Sequence, residues 1–220
     1  IMSGDWSSDV CSSDLVYSVI ITKYDNNKNR SKMKTTEQIK KIKAVVLYVL
    51  NNMPKGVDYI KLSKLLYFAQ RESLVSYGKT IFDDTFKARD RGPVPTLTYK
   101  VLKMIENGDK FDECDELKEF GESIKVVKQK ATALQECNTD LLTFIDMKIL
   151  DDTINKYGNI NSKKLSEMTH DEVYNSIIEK MKDDPEKDIF TLIDIARSGG
   201  ASEDMIEYIR NKQVLKKALA

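Results

Sequence analysis

The stretch from Lys61 to Leu102, KLSKLLYFAQRESLVSYGKTIFDDTFKARDRGPVPTLTYKVL, changes its hydrophobic period twice, and this constrains the chain more than any other feature. Leu62, Leu65, Leu66 and Ala69 recur at helical spacing, behind an Asp58 whose carboxylate can cap the first turn. Gly78 supplies a left-handed stop. Beyond it the period falls to two: from Phe82 to Arg91, Phe86 and Ala88 point one way while Thr85, Lys87, Arg89 and Arg91 point the other. Gly92-Pro93-Val94-Pro95 is expected to break the ladder, because proline lacks the N–H and fixes φ. Pro95 then opens a second helix with Leu97, Tyr99, Val101, Leu102 and Ile105 on its apolar positions, ended by Gly108.

The flanks read as further helices. Thr35 with Gln38 is a capping-box pattern, followed by Ile39, Ile42, Val46, Val49 and Leu50. This predicts a helix over about 36–52, paired with one over 58–77. Residues 109–122 are acidic and read as a solvated loop or short helix. Residues 123–135 are rich in Val, Ile and Thr and suit a two-stranded hairpin. Asn138 is the expected cap of a helix bearing Leu141, Leu142, Ile145, Ile149 and Ile154, ended by Gly158. Ser162 is expected to cap a short turn. Thr169 with Glu172 forms another capping-box pattern, opening a helix to about Met181. After the break at Asp183–Pro185, Ile189, Leu192, Ile193 and Ala196 form an amphipathic set. Ser202 caps a last helix with Met205, Ile206, Ile209 and Leu215.

The expected fold class is α+β, mainly α-helical, with one or two small antiparallel β-hairpins. The expected organisation is residues 1–32 as a non-native or disordered segment, 33–182 as the domain, and 183–220 as a C-terminal helical hairpin. Asp5–Leu15, DWSSDVCSSDL, matches one translated frame of a common sequencing-library adapter, so Met33 is the expected start of translation.

Composition narrows the function. The 220 residues carry 35 basic and 35 acidic side chains, a balance that argues against a strong nonspecific nucleic-acid or anionic-membrane binder. No apolar run approaches the ~20 residues of a membrane-spanning helix. The three cysteines, Cys11, Cys114 and Cys137, show no paired spacing, which suits the reduced cytoplasm. His170, the only histidine, has no nucleophile at a recognisable spacing, and no glycine-rich phosphate motif occurs. No catalytic residue, metal site or cofactor is expected. Lys87, Arg89 and Arg91 fall on one strand face, as a cationic ridge for an acidic partner or as a solvated hairpin face.

The chain resembles the Panacea domain, the SocA-like antitoxin family. The resemblance rests on Lys61, Leu62 and Lys64–Gln70 (with Leu65, Tyr67, Phe68 and Gln70 among them), Gly78, Lys79, Phe82, Asp83, Phe86, Ala88, Gly92, Pro93, Val94 and Tyr99. Leu165, Ser166, Thr169 and His170 match a later Leu-Ser-x-x-Thr-His signature. It extends over roughly Thr35 to Lys182. Many members carry Trp after the F-x-A alanine, where this chain has Arg89, and Trp a few residues past the Thr-His, where it has Tyr174.

The resemblance implies a non-enzymatic antitoxin of a type II toxin–antitoxin pair that binds its cognate toxin directly. At least one member hands its toxin to a protease, so a Clp-type protease is a possible second partner. The Ala218-Leu219-Ala220 end is similar to protease-recognised tails. Lys87, Arg89, Arg91 and Tyr99 are the expected partner-binding residues. The alternative is a DNA-binding autoregulator, or a phage-associated protein with a winged-helix-like surface, in which the arginine row would be the wing.

Overall fold

One helix, buried on almost every side, sets the arrangement of the rest. The computed structural model describes residues 34–219; the adapter-like segment, the Met33 start and Ala220 lie outside them. Helix α2 (Tyr59–Tyr77) has every residue from Leu62 to Gln70 buried. A helix enclosed in this way has to satisfy its buried polar side chains internally, and Ser63, Lys64 and Gln70 do so, whereas the Ser73 hydroxyl has no partner among the described residues. Ser63 Oγ donates to Tyr59 O at 2.7 Å, and Lys64 Nζ donates to Pro93 O at 2.9 Å. Gln70 accepts from Ile81 N at 3.0 Å and donates to Phe82 O at 3.3 Å, fixing the chain that leaves the helix. Asp58 caps α2 and Gly78 ends it at φ +57°, as its spacing predicts.

Helix α1 (Thr36–Asn51) opens with the expected Thr35–Gln38 capping box and buries Ile39, Ile42, Val46, Val49 and Leu50. Two small antiparallel sheets accompany the helices, as the α+β expectation requires. The first joins β1 (Val57–Asp58), β4 (Ile124–Val127) and β5 (Lys130–Ala133) in the order β1-β5-β4. The second joins β2 (Phe86–Arg89), β3 (Gly92–Pro95) and β6 (Ile189–Phe190) in the order β3-β2-β6. The remaining helices are α3 (Thr96–Asn107), α4 (Asp115–Glu122), α5 (Phe144–Tyr157), α6 (Ser162–Glu167), α7 (Glu172–Asp183), α8 (Leu192–Ser198) and α9 (Glu203–Ala218). Of the two readings for the acidic stretch, the structure has the short helix, with Leu117 and Phe120 buried under α4. Among the described residues, no helix is long and apolar enough to cross a membrane.

Several local expectations are corrected. Gly92–Pro95 does not break the ladder; it is an edge strand paired from Phe86↔Pro95 to Arg89↔Gly92. Its prolines sit where the backbone faces away from β2, the one place a sheet tolerates them. Ala88 shows the same phase, since its N–H points to Asp188 O at 2.6 Å on the opposite side. Asn138 caps a 3₁₀ turn at Thr139–Leu141, and Thr143 caps α5 instead. Asn161, not Ser162, caps α6; the Ser162 hydroxyl donates to Asp58 at 2.5 Å. Asp171, not Thr169, caps α7, while Thr169 is fully buried and donates to Ser166 O at 2.8 Å. Ile189 belongs to strand β6 and is exposed, so it does not share a helical stripe with Leu192.

The segment after Asp183 packs against α2. Ile195, Ala196, Ile206 and Ile209 are buried, Tyr67 donates to Ser198 Oγ at 2.9 Å, and β6 completes the second sheet.

Pro95 leaves the start of α3 without a side-chain cap of its own, and Asp84 replaces it from outside the helix. Its carboxylate accepts from Leu97 N and Thr98 N, each at 3.0 Å, and from the Thr96 and Thr98 hydroxyls. Asp84→Ala is expected to cost about 2–3 kcal/mol in urea unfolding, by loss of a buried multidentate cap. Asp84→Asn should cost less, because its amide oxygen still accepts.

Candidate functional site

Part of the family motif, Lys64, Gly92, Pro93, Ser166 and Thr169, meets at the tip of the β2–β3 hairpin. A two-residue connection, Asp90-Arg91, joins the strands, and Gly92 takes φ +93° to re-enter the ladder. Three backbone carbonyls around the tip turn inward, and each accepts from a side chain on a different helix. Tyr174 OH of α7 donates to Arg89 O at 2.9 Å. Ser166 Oγ of α6 donates to Arg91 O at 2.7 Å. Lys64 Nζ of α2 donates to Pro93 O.

Space at the tip is closed on the inner side. A Cβ on Gly92 would lie 2.2 Å from Thr169 Oγ1 and 2.8 Å from Lys64 Nζ. The Lys64 ammonium is fully buried, and burial pulls its pKa down to about 7. His170 is exposed on the α6–α7 connection, one residue ahead of the cap, and its ring stacks on Tyr174 at 4.4 Å. Partial burial, then the neighbouring Lys64 charge, lowers its pKa. Beneath this layer Tyr67 donates to Ser198, and Ser198 donates in turn to Asp171, the cap of α7. Burial holds the Tyr67 hydroxyl protonated well above its ordinary range.

On the outer side, Asp188 is 4% exposed and gathers two of the expected partner-binding cations. Arg89 donates to its Oδ2 at 2.9 Å, and Lys87 Nζ lies 3.2 Å from Oδ1 as an ion pair without hydrogen-bond geometry. The Arg89 side chain remains 54% exposed. Arg91 does not share the strand face expected for it with Lys87 and Arg89, because β2 ends at Arg89; it is exposed on the turn and makes no ion pair among the described residues. Lys87 pairs across the sheet with both Val94 and Ile189, so those three side chains share its outer face. Tyr99 belongs to another neighbourhood: it lies on α3, 42% exposed, its ring meeting Tyr59 edge-on at 6.1 Å.

The other motif residues have structural places. Leu65, Tyr67, Phe68 and Phe86 form the core, with Tyr67 edge-on to Phe86 at 5.5 Å. Lys61 donates to Gly158 O at 3.0 Å. Arg89 and Tyr174, where the chain departs from the common Trp pattern, meet through the Tyr174–Arg89 bond. The sequence reading passed over Lys64 as a functional position, although a lysine inside an apolar stripe is itself a signal. It also passed over Asp188, whose partner Arg89 lies 99 residues away, and Ser198, whose partners Asp171 and Tyr67 lie 27 and 131 residues away, distances that leave no local pattern.

Cys114 and Cys137 are free thiols, and no group of three or more His, Cys, Asp or Glu residues is placed to hold a metal ion among the described residues. What the arrangement offers chemically is a hairpin turn tethered on its inner side that exposes the Arg89 and Arg91 guanidinium groups.

No curated protein and no solved structure matches the chain significantly. One family model does match, over residues 62–175, a span narrower than Thr35–Lys182 that starts just after Lys61. It covers α2 from Leu62 onward, both hairpins and the Thr169-His170 connection, just over half of the chain. The chain therefore belongs to the antitoxin SocA-like, Panacea domain family.

Proposed function

We propose that this protein is the antitoxin of a type II toxin–antitoxin pair and neutralises its toxin by direct, non-catalytic binding through the β2–β3 hairpin. Family membership supports the toxin–antitoxin association. The observation that carries the site is the triple tether of the hairpin carbonyls by Lys64, Ser166 and Tyr174. A hairpin turn held in this way binds without ordering itself first, so less of its contact energy is lost. It presents Arg91, in no ion pair among the described residues, and Arg89 oriented by Asp188, beside the apolar Val94 and Ile189. Guanidinium groups next to apolar surface suit an acidic, partly apolar epitope. Tyr99 is a separate contact candidate on α3.

Co-expression with each neighbouring open reading frame, scored for growth and followed by pull-down, tests this. A toxic neighbour that is rescued and co-purifies is the expected result. Rescue with loss of the toxin protein would mean delivery to a protease of the Clp type. If no neighbour is toxic, the reading fails. Arg91→Glu is expected to weaken the complex at least ~10-fold with an unchanged melting temperature. Arg89→Glu is the poorer probe, since it places a second carboxylate against Asp188.

A further inference from the structure

The first sheet has a topology that the antitoxin reading leaves unused. Strand β1 lies between α1 and α2, and it pairs with β5, which pairs with β4. Helix, short strand, two helices and a two-stranded hairpin, with sheet order first–third–second, is the arrangement of a winged helix-turn-helix. Here the β2–β3 hairpin is inserted between the two helices α2 and α3, and α4 precedes the wing. The wing is therefore β4–β5, not the arginine row of β2.

Three features of the wing bear on a ligand. Lys125, Lys128 and Lys130 are exposed on one short hairpin, and none is in an ion pair among the described residues. With Val127 and Thr132 they line one shallow concavity. The tip residues Lys128 (φ 50°) and Gln129 (φ 61°) are both left-handed, in a turn where Asn-Gly would be relaxed. Two long, exposed polar side chains are thus held at a conformational cost in the turn between β4 and β5.

The wing is also tied to a helix. Gln129 N donates to Glu106 Oε1 at 3.1 Å, and Glu106 pairs with Lys103 on α3. Thr96, Lys100, Lys103 and Asn107 recur along α3 as a polar stripe, beside the exposed Tyr99. The acidic groups here are Glu106 and Glu113, already engaged by Lys103 and Lys100, with Asp109 and Asp112 on the following loop.

We infer that the β4–β5 wing and helix α3 form a second interaction surface, one that binds double-stranded DNA through its phosphates. The three wing lysines supply unpaired ammonium groups for phosphate, and α3 supplies a helix with a polar stripe for the adjacent groove. This surface uses none of Lys87, Arg89 or Arg91 and meets the toxin-binding reading only at Tyr99 on α3, so the wing and the hairpin tip can each fail alone.

The test uses the full chain and a fluorescent 24-base-pair duplex of mixed sequence, titrated from about 50 to 200 mM salt. The expected result is salt-dependent binding, with the slope of log K against log salt reduced by about 2–3 in a Lys125→Gln, Lys128→Gln, Lys130→Gln triple variant. A charge-matched Lys163→Gln, Lys180→Gln, Lys216→Gln variant should leave the slope unchanged. All six side chains are exposed, and an unchanged circular dichroism melt shows that the fold is retained. Absence of binding at 50 mM salt, or equal slopes for the two triple variants, overturns the inference. So does a wing variant that loses toxin neutralisation while the parent shows no affinity for the duplex, which would make the wing a protein contact.

Discussion

Gly92→Ala is expected to cost about 4 kcal/mol or more, close to the whole stability of many domains. Two penalties coincide. At φ +93° an L side chain is strained whatever space surrounds it. The added Cβ would also meet Thr169 Oγ1 at 2.2 Å. Lys64 Nζ, at 2.8 Å, is the end of a flexible chain and can shift; Thr169 is short, fully buried and bound to Ser166 O. Urea unfolding checks this, with Gly108→Ala as control. Gly108 has φ +72° but open space around it, so only the conformational cost, about 1 kcal/mol, should appear. Adding Thr169→Ala should recover part of the Gly92→Ala loss, because the two residues share one contact. Equal costs at Gly92 and Gly108 would show that the tip is not sterically closed.

The second large effect is a pH dependence set by Lys64. Its folded pKa of about 7 lies below the ordinary lysine value, so between the two the unfolded chain binds a proton that the folded chain does not. Stability therefore rises with pH through this window, and the penalty is fully present below pH 7. Between pH 7 and 8.5 the gain is expected to be about 1–2 kcal/mol. Higher pH reverses the trend. Burial raises the pKa of the Cys137 thiol to about 11, and those of Tyr59 and Tyr67 as well, so these groups ionise on unfolding and favour the unfolded chain. His170, lowered from its ordinary value, acts below pH 7. Lys64→Met should flatten the rise between pH 7 and 8.5, at a cost of about 1–3 kcal/mol for the bare Pro93 carbonyl. A slope surviving in Lys64→Met would assign it to another group.

The helices were legible wherever one side chain dominated the local chemistry. Asp58, Thr35 and Ser202 cap as their spacing predicts, and Gly78 ends α2 as a left-handed residue. The assignments went astray where neighbours competed. Asn161 displaced Ser162 and Asp171 displaced Thr169, because each pair offers two eligible caps within three residues and tertiary contacts decide which is used. The proline-rich run was misjudged because prolines at alternate positions offend only one side of a strand, and being at an edge is a property of the sheet. Within the candidate site, the alternation that exposes Arg89 was readable. Its engagement by Asp188, and the Lys64–Pro93 bond, depend on long-range partners that no local pattern announces.

The pairing of β6 with β2 also bears on how the protein is made. Ala88 finds the acceptor for its N–H, Asp188 O, only about a hundred residues further along the chain, and Asp188 itself orients Lys87 and Arg89. At ordinary translation speeds that stretch takes about 5–20 s to synthesise. During that time one edge of β2 stays open, and its cations point without guidance. The outer edge of the hairpin is thus completed late, and a chain cut short before residue 188 carries every tether of the tip yet leaves that edge without its strand.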